Sequence, residues 1–157
     1  MRYQPIRYRQ IREILDWMQA FHERLSIEYQ TMSQGQVRER VALLLEYLAD
    51  HQKKLKNAIK QYEEGASEKL LNSWHDHFPE LELPESLDEL KHHLSVINTD
   101  DVIRLAVEFH DVLIRLFDEI SDSAASDEVR DVFGNLAQME RREKERMVRD
   151  SAFLEDY

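Results

Sequence analysis

Four stretches of this chain repeat apolar residues at alternating spacings of three and four, and each stretch interrupts its stripe with side chains that can ligate metals. That spacing lines the apolar residues along one face of an α-helix, so four such faces must be buried against one another. The first stripe is Ile11, Leu15, Met18, His22, Leu25, Tyr29 and Met32. The second is Val41, Leu44, Leu48, His51, Leu55, Ile59 and Tyr62. Ile103, Ala106, His110, Leu113, Phe117 and Ile120 form the third, and Val129, Phe133, Leu136, Glu140, Glu143 and Met147 the fourth. Tyrosines apart, the first three stripes carry one histidine each and the fourth carries two glutamates.

The stripes predict helices over residues 6–32, 37–64, 100–121 and 127–150, with a connector over 65–99. Ser33-Gln34-Gly35-Gln36 breaks the first pair, and Gly65 stands where a left-handed cap would close the second helix. Two short helical pieces are expected in the connector, over 68–74 and 87–94, with Pro79 and Pro84 between them. Ser86 with Glu89 reads as a capping box, and Thr99 and Ser126 read as N-caps of the last two long helices. Short turns make helices 1 and 2 antiparallel, and likewise 3 and 4, while the long connector crosses the bundle. The expected class is therefore all-α, a single antiparallel four-helix bundle with one crossover. With only three glycines and three prolines in 157 residues, few additional turns are available.

An internal repeat supports the pairing of hairpins. Phe21-His22-Glu23 recurs as Phe109-His110-Asp111, 88 residues later. The same offset matches Met18 with Ala106, Leu25 with Leu113, Tyr29 with Phe117 and Met32 with Ile120. His22 lies 13 residues before Gly35 and His51 lies 16 after it, so the two face each other within about one helical turn. His110 stands in the same relation to Glu140 and Glu143 about the second turn. If the hairpins pack in matching register, His22, His51, His110, Glu140 and Glu143 meet in one layer. Burying such groups costs several kcal/mol apiece unless they are paired or bound. Three imidazoles and two carboxylates suit Fe, Mn or Zn. The alternative is a metal-free network in which the histidines hydrogen-bond the glutamates.

The remaining composition narrows the function classes. A formal net charge of −11 argues against nucleic acid and against anionic membranes. No apolar run approaches the length of a membrane span, and the N-terminal Met-Arg-Tyr-Gln-Pro lacks a signal-peptide core, so a cytoplasmic location is expected. The absence of cysteine excludes disulfides and thiolate sites. His75-Asp76-His77 and His92-His93 read as surface residues. Trp74, Phe78, Leu81 and Leu83 read as cover for a bundle edge or a subunit contact, and Phe153-Leu154 as a docking tail. A homodimer would bury such a leftover apolar edge. No phosphate loop, nucleophile elbow or Ser/His/Asp pattern is visible.

Stripes, repeat and connector together resemble the ferritin-like superfamily, especially rubrerythrin-like di-iron carboxylate proteins. There each hairpin supplies a Glu from its first helix, a Tyr one heptad later, and Glu-x-x-His from its second helix. On this resemblance His22 and His110 occupy the lone-Glu positions, Tyr29 the Tyr position, and Phe117 its apolar counterpart. His51 matches the histidine of one Glu-x-x-His and Glu140 the glutamate of the other, preceded by Leu136-Ala137. Leu48 and Glu143 stand where the family has Glu and His. Only Glu140 remains at a bridging position, so the resemblance implies a single ion, or none, in place of two irons.

Two functions follow as expectations. One is a metal-binding ferritin-like protein with redox or peroxide chemistry at a His/Glu site. The other is a non-enzymatic helical interaction module whose buried His/Glu layer is structural. A hemerythrin-like oxygen carrier needs about five core histidines, against three on these stripes.

Overall fold

The computed structural model describes residues 9–76 and 84–155, with side chains through residue 152. Four long helices make the bundle: α1 (Ile11–Ser33), α2 (Glu39–Gly65), α5 (Thr99–Asp122) and α6 (Asp127–Glu155). Between α2 and α5 lie α3 (Glu68–Leu71) and α4 (Ser86–His92). A two-residue antiparallel ladder joins β1 (Arg9–Gln10) to β2 (Trp74–His75). α1 packs along α2 and α5 along α6, as the repeat requires, and α2 bridges the two hairpins. No described helix is long and apolar enough to cross a membrane.

Local chemistry explains the ends. Helix 1 was expected from residue 6, which lies outside the described residues; the observed helix starts at Ile11. Arg9 and Gln10 pair with β2 instead, and Ile11 N donates to Ser73 O at 2.9 Å. α2 ends at Gly65 without a left-handed cap: Ala66 turns into an extended conformation while its N–H reaches Glu63 O. α3 is N-capped by Ser67, whose hydroxyl accepts from Leu70 N at 3.1 Å. It stops at Leu71, so the piece expected over 68–74 gives way to β2. Ser86 does not cap α4. It lies inside the helix and donates to the Glu108 carboxylate at 2.7 Å, a tertiary partner that wins over the local one. α5 is capped by Asn98, one residue before Thr99, in a reciprocal box with Asp101 (2.9 and 3.0 Å). Ser126 caps α6 as expected, accepting from Val129 N at 3.2 Å.

The core falls into two apolar clusters stacked along the bundle axis. One joins Ile14, Leu15, Met18, Ile59, Leu113, Phe117, Phe133 and Leu136, with Leu70 and Leu71 of α3. The other joins Leu25, Tyr29, Leu44, Leu48, Leu105, Phe109 and Met147, with Leu87 of α4. Because α3 sits with the first cluster and α4 with the second, the chain between α2 and α5 passes from one end of the bundle to the other. Leu70 and Leu71 join the first cluster, and Tyr62 at the end of the α2 stripe is 37 % exposed instead of buried. Trp74 is 58 % exposed, whereas His75, expected at the surface, is buried beside it on the ladder. His92 and His93 are exposed as expected. His77, Phe78, Leu81, Leu83 and the side chains of Phe153 and Leu154 lie outside the described residues.

Candidate functional site

Between the two apolar clusters lies one fully buried polar layer, and each hairpin builds its half in the same way. On α1, His22 Nδ1 donates to the Gln52 amide oxygen of α2 at 2.6 Å. On α5, His110 Nδ1 donates to Glu140 Oε2 of α6 at 2.8 Å. In both pairs the partners are 30 residues apart, and the pairs are related by the same 88-residue offset as the sequence repeat. The halves meet where His22 Nε2 comes within 2.9 Å of Glu140 Oε1, both side chains having no solvent exposure. That approach lies off the line a hydrogen bond needs, so these two buried atoms have no hydrogen-bond partner among the described residues. Phe21 and Phe109, ring centroids 6.1 Å apart, pack edge-on beside the layer.

Of the five residues expected in the layer, His22, His110 and Glu140 are brought together. His51 and Glu143 form a second pair, nearer solvent, on the α2–α6 seam: His51 Nδ1 meets Glu143 Oε2 at 3.1 Å, with side chains 13 % and 19 % exposed. The His51 ring lies 4.2 Å from that of Tyr47, whose hydroxyl donates to Asp150 at 2.8 Å. Arg146 approaches the other Glu143 oxygen at 3.4 Å. The member of the buried layer that α2 supplies is Gln52. The apolar phase contained it, since Leu45, Leu48, Ala49, Leu55 and Ile59 flank it at spacings of three, four and seven. A search for ligand chemistry passes over an amide and takes the histidine one residue earlier, which is rotated about 100° around the helix. Ser26, buried on α1 and donating to Ala49 O at 2.7 Å, was missed likewise.

The electrostatics follow from the geometry. Burial alone would lower the His22 pKa, but the charge of Glu140 with the Gln52 hydrogen bond outweighs it, and the net shift is upward. Burial would raise Glu140, yet His22 and His110 hold its carboxyl well below the ordinary range. Glu143 is also lowered, first by the His51 hydrogen bond, against partial burial, with Arg146 and His110 adding. Without a metal, the layer is thus a buried imidazolium–carboxylate pair.

No family model matches the chain, and no curated protein does. Among solved structures, it resembles a Thermotoga maritima protein described as a ferritin-like diiron-carboxylate protein. Identity is 13 %, the match covers 92 % of this chain and 96 % of that one, and the TM-score is 0.61. The chain has the ferritin-like fold.

In a ferritin-like bundle the natural question is whether these side chains suit a metal centre. The contacts make Gln52 of the first hairpin the counterpart of Glu140 in the second, one turn beyond Leu48. Two divalent ions would face a single fully buried carboxylate, which leaves too much charge uncompensated. One ion fits the donor set better. Two imidazoles and one carboxylate are a common set for a mononuclear transition metal. The two unpartnered atoms, His22 Nε2 and Glu140 Oε1, are 2.9 Å apart. Neighbouring ligand atoms on one ion with bonds of about 2.1 Å have a similar separation. Among the described residues, no three His, Asp or Glu side chains already converge as ligands on a common point. Uptake would therefore require His110 or Glu143 to turn toward the pair.

Proposed function

We propose that this ferritin-like protein binds one transition-metal ion, Fe, Mn or Zn, in the buried layer, with His22, His110 and Glu140 as ligands. His51 and Glu143 form the outer pair beside it. The observation that supports this reading is the unpartnered contact of His22 Nε2 with Glu140 Oε1. Gln52 holds the proton on His22 Nδ1, which leaves Nε2 as the ligand nitrogen; a second hydrogen bond of this kind commonly fixes the tautomer of a ligating imidazole. Proton and metal ion compete for the same lone pair, so the imidazolium–carboxylate pair is the metal-free form of the same site. When bound, the ion would supply Lewis acidity or, as iron or manganese, redox chemistry of the kind used on peroxide. Elemental analysis of protein from metal-supplemented medium tests the reading. One equivalent per chain is expected, lost in His22→Ala and in Glu140→Gln. A wild-type chain that carries no metal and is not destabilised by chelation would overturn it.

A second reading has its own support. Glu140 already faces an imidazole at each oxygen, and His22 has Gln52 on its other side. This closed set would serve a non-enzymatic bundle as a structural network. On that reading replacing His22, Gln52, His110 and Glu140 together by apolar residues of similar volume leaves stability equal or higher, because whole buried polar networks are often replaceable. A large loss in that combined variant would count against it.

A further inference from the structure

We propose that Gln52 is the residue that limits how much cation charge the buried layer holds. The inference rests on the metal reading above and concerns the residue that holds His22 by Nδ1, the ring nitrogen opposite the one that meets Glu140. The two hairpins are copies offset by 88 residues: His22 corresponds to His110, and Gln52 to Glu140. The correspondence is geometric as well, since each histidine uses Nδ1 to reach its partner 30 residues on, at 2.6 and 2.8 Å. One half of the layer therefore presents a carboxylate and the other a neutral amide of almost the same shape in the same place. Gln52 is buried, so no solvent charge substitutes for the one its amide lacks. An asymmetric layer with one negative charge and two imidazoles balances one divalent ion poorly and two not at all. With a carboxylate at position 52 the layer would be symmetric and its charge doubled. Ligand charge count is a main determinant of cation affinity in sites of fixed geometry.

Cobalt(II) is the probe, followed by its visible absorption bands and by elemental analysis after gel filtration, with thermal melts in chelator to verify folding. Gln52→Glu is nearly isosteric and is expected to bind Co(II) about tenfold more tightly than wild type, or to take up one further equivalent. Glu140→Gln, the mirror change, is expected to bind none. The double swap Gln52→Glu/Glu140→Gln keeps the layer's charge and moves it to the other hairpin. It should recover Co(II) binding to within about threefold of wild type, a difference of roughly 0.7 kcal/mol. The proposal is overturned if Gln52→Glu folds and binds as wild type does, or if the swap binds no better than Glu140→Gln alone. Wild-type Co(II) binding is scored separately: none would overturn the metal reading, while a gain in Gln52→Glu over that baseline would still identify Gln52 as the limiting residue.

Discussion

Replacing Glu140 by glutamine in the metal-free protein isolates the electrostatic part of the layer. The side chain is fully buried and meets two imidazoles, at 2.8 and 2.9 Å. The amide has the same shape, so no cavity opens and the loss is confined to charge. At pH 6 the wild-type pair is intact, because Glu140 raises the His22 pKa above the ordinary histidine value of 6.5. Removing one partner of a buried ion pair costs about 3 kcal/mol, since the remaining charge must be neutralised or left uncompensated. At pH values above the raised His22 pKa the imidazole is neutral in both proteins, and the cost falls toward that of one neutral hydrogen bond, about 1 kcal/mol. For a domain of this size 3 kcal/mol corresponds to a drop in Tm of about 10 °C. Urea unfolding followed by far-UV circular dichroism, with chelator present, measures both limits. The reasoning would be refuted by a loss below about 1 kcal/mol at pH 6, or by a loss that does not shrink as pH rises through the His22 titration.

Other predictions follow from neighbouring features. Tyr29 is buried and its hydroxyl has no hydrogen-bond partner among the described residues, so Tyr29→Phe should stabilise by about 1 kcal/mol in thermal melts; a loss would show that the hydroxyl has a partner. The pH profile of the metal-free protein should depend on two oppositely shifted groups. Glu140 is lowered, so its contribution is present above its ordinary 4.5 and is lost as pH falls through the folded value. His22 is raised, so its contribution is full below 6.5 and is lost as pH rises through the folded value. As far as the layer decides it, stability without metal should peak between these limits, whereas metal affinity should increase with pH; a calorimetric series with and without Zn(II) separates the two trends. Asn98→Ala should cost about 1 kcal/mol by removing the α5 cap, and Thr99→Ala much less, as chemical denaturation would show.

The bundle was legible because burial imposes a period that the residues cannot avoid. His22, His110 and Glu140 were found for the same reason: each falls in phase with fully buried neighbours. Where the sequence reading failed, a tertiary partner had displaced a local preference. Ser86 satisfies a capping pattern with Glu89, yet its hydroxyl goes to Glu108 on α5. Tyr62 continues the α2 stripe, yet it stays partly exposed while Leu70 and Leu71 of α3 join the first cluster. Nothing in the spacing of β1 and β2, two residues each and more than sixty apart, announces that they pair. Gln52 was hidden differently. Its phase was visible, but a carboxamide has no distinctive chemistry until a histidine 30 residues away is seen to hydrogen-bond to it.

Dividing the core at mid-height has a consequence for how the bundle tolerates change. Side chains on opposite sides of the polar layer share few neighbours, so packing defects above and below it should behave as separate events. Truncating Leu15 in one cluster and Leu44 in the other should give losses that add within about 0.5 kcal/mol. Phe21 packs against both clusters, so whatever coupling the double mutant retains should vanish when Phe21 is truncated. One half of such a core is free to drift in sequence while the other keeps its packing, with a single aromatic ring transmitting strain between them.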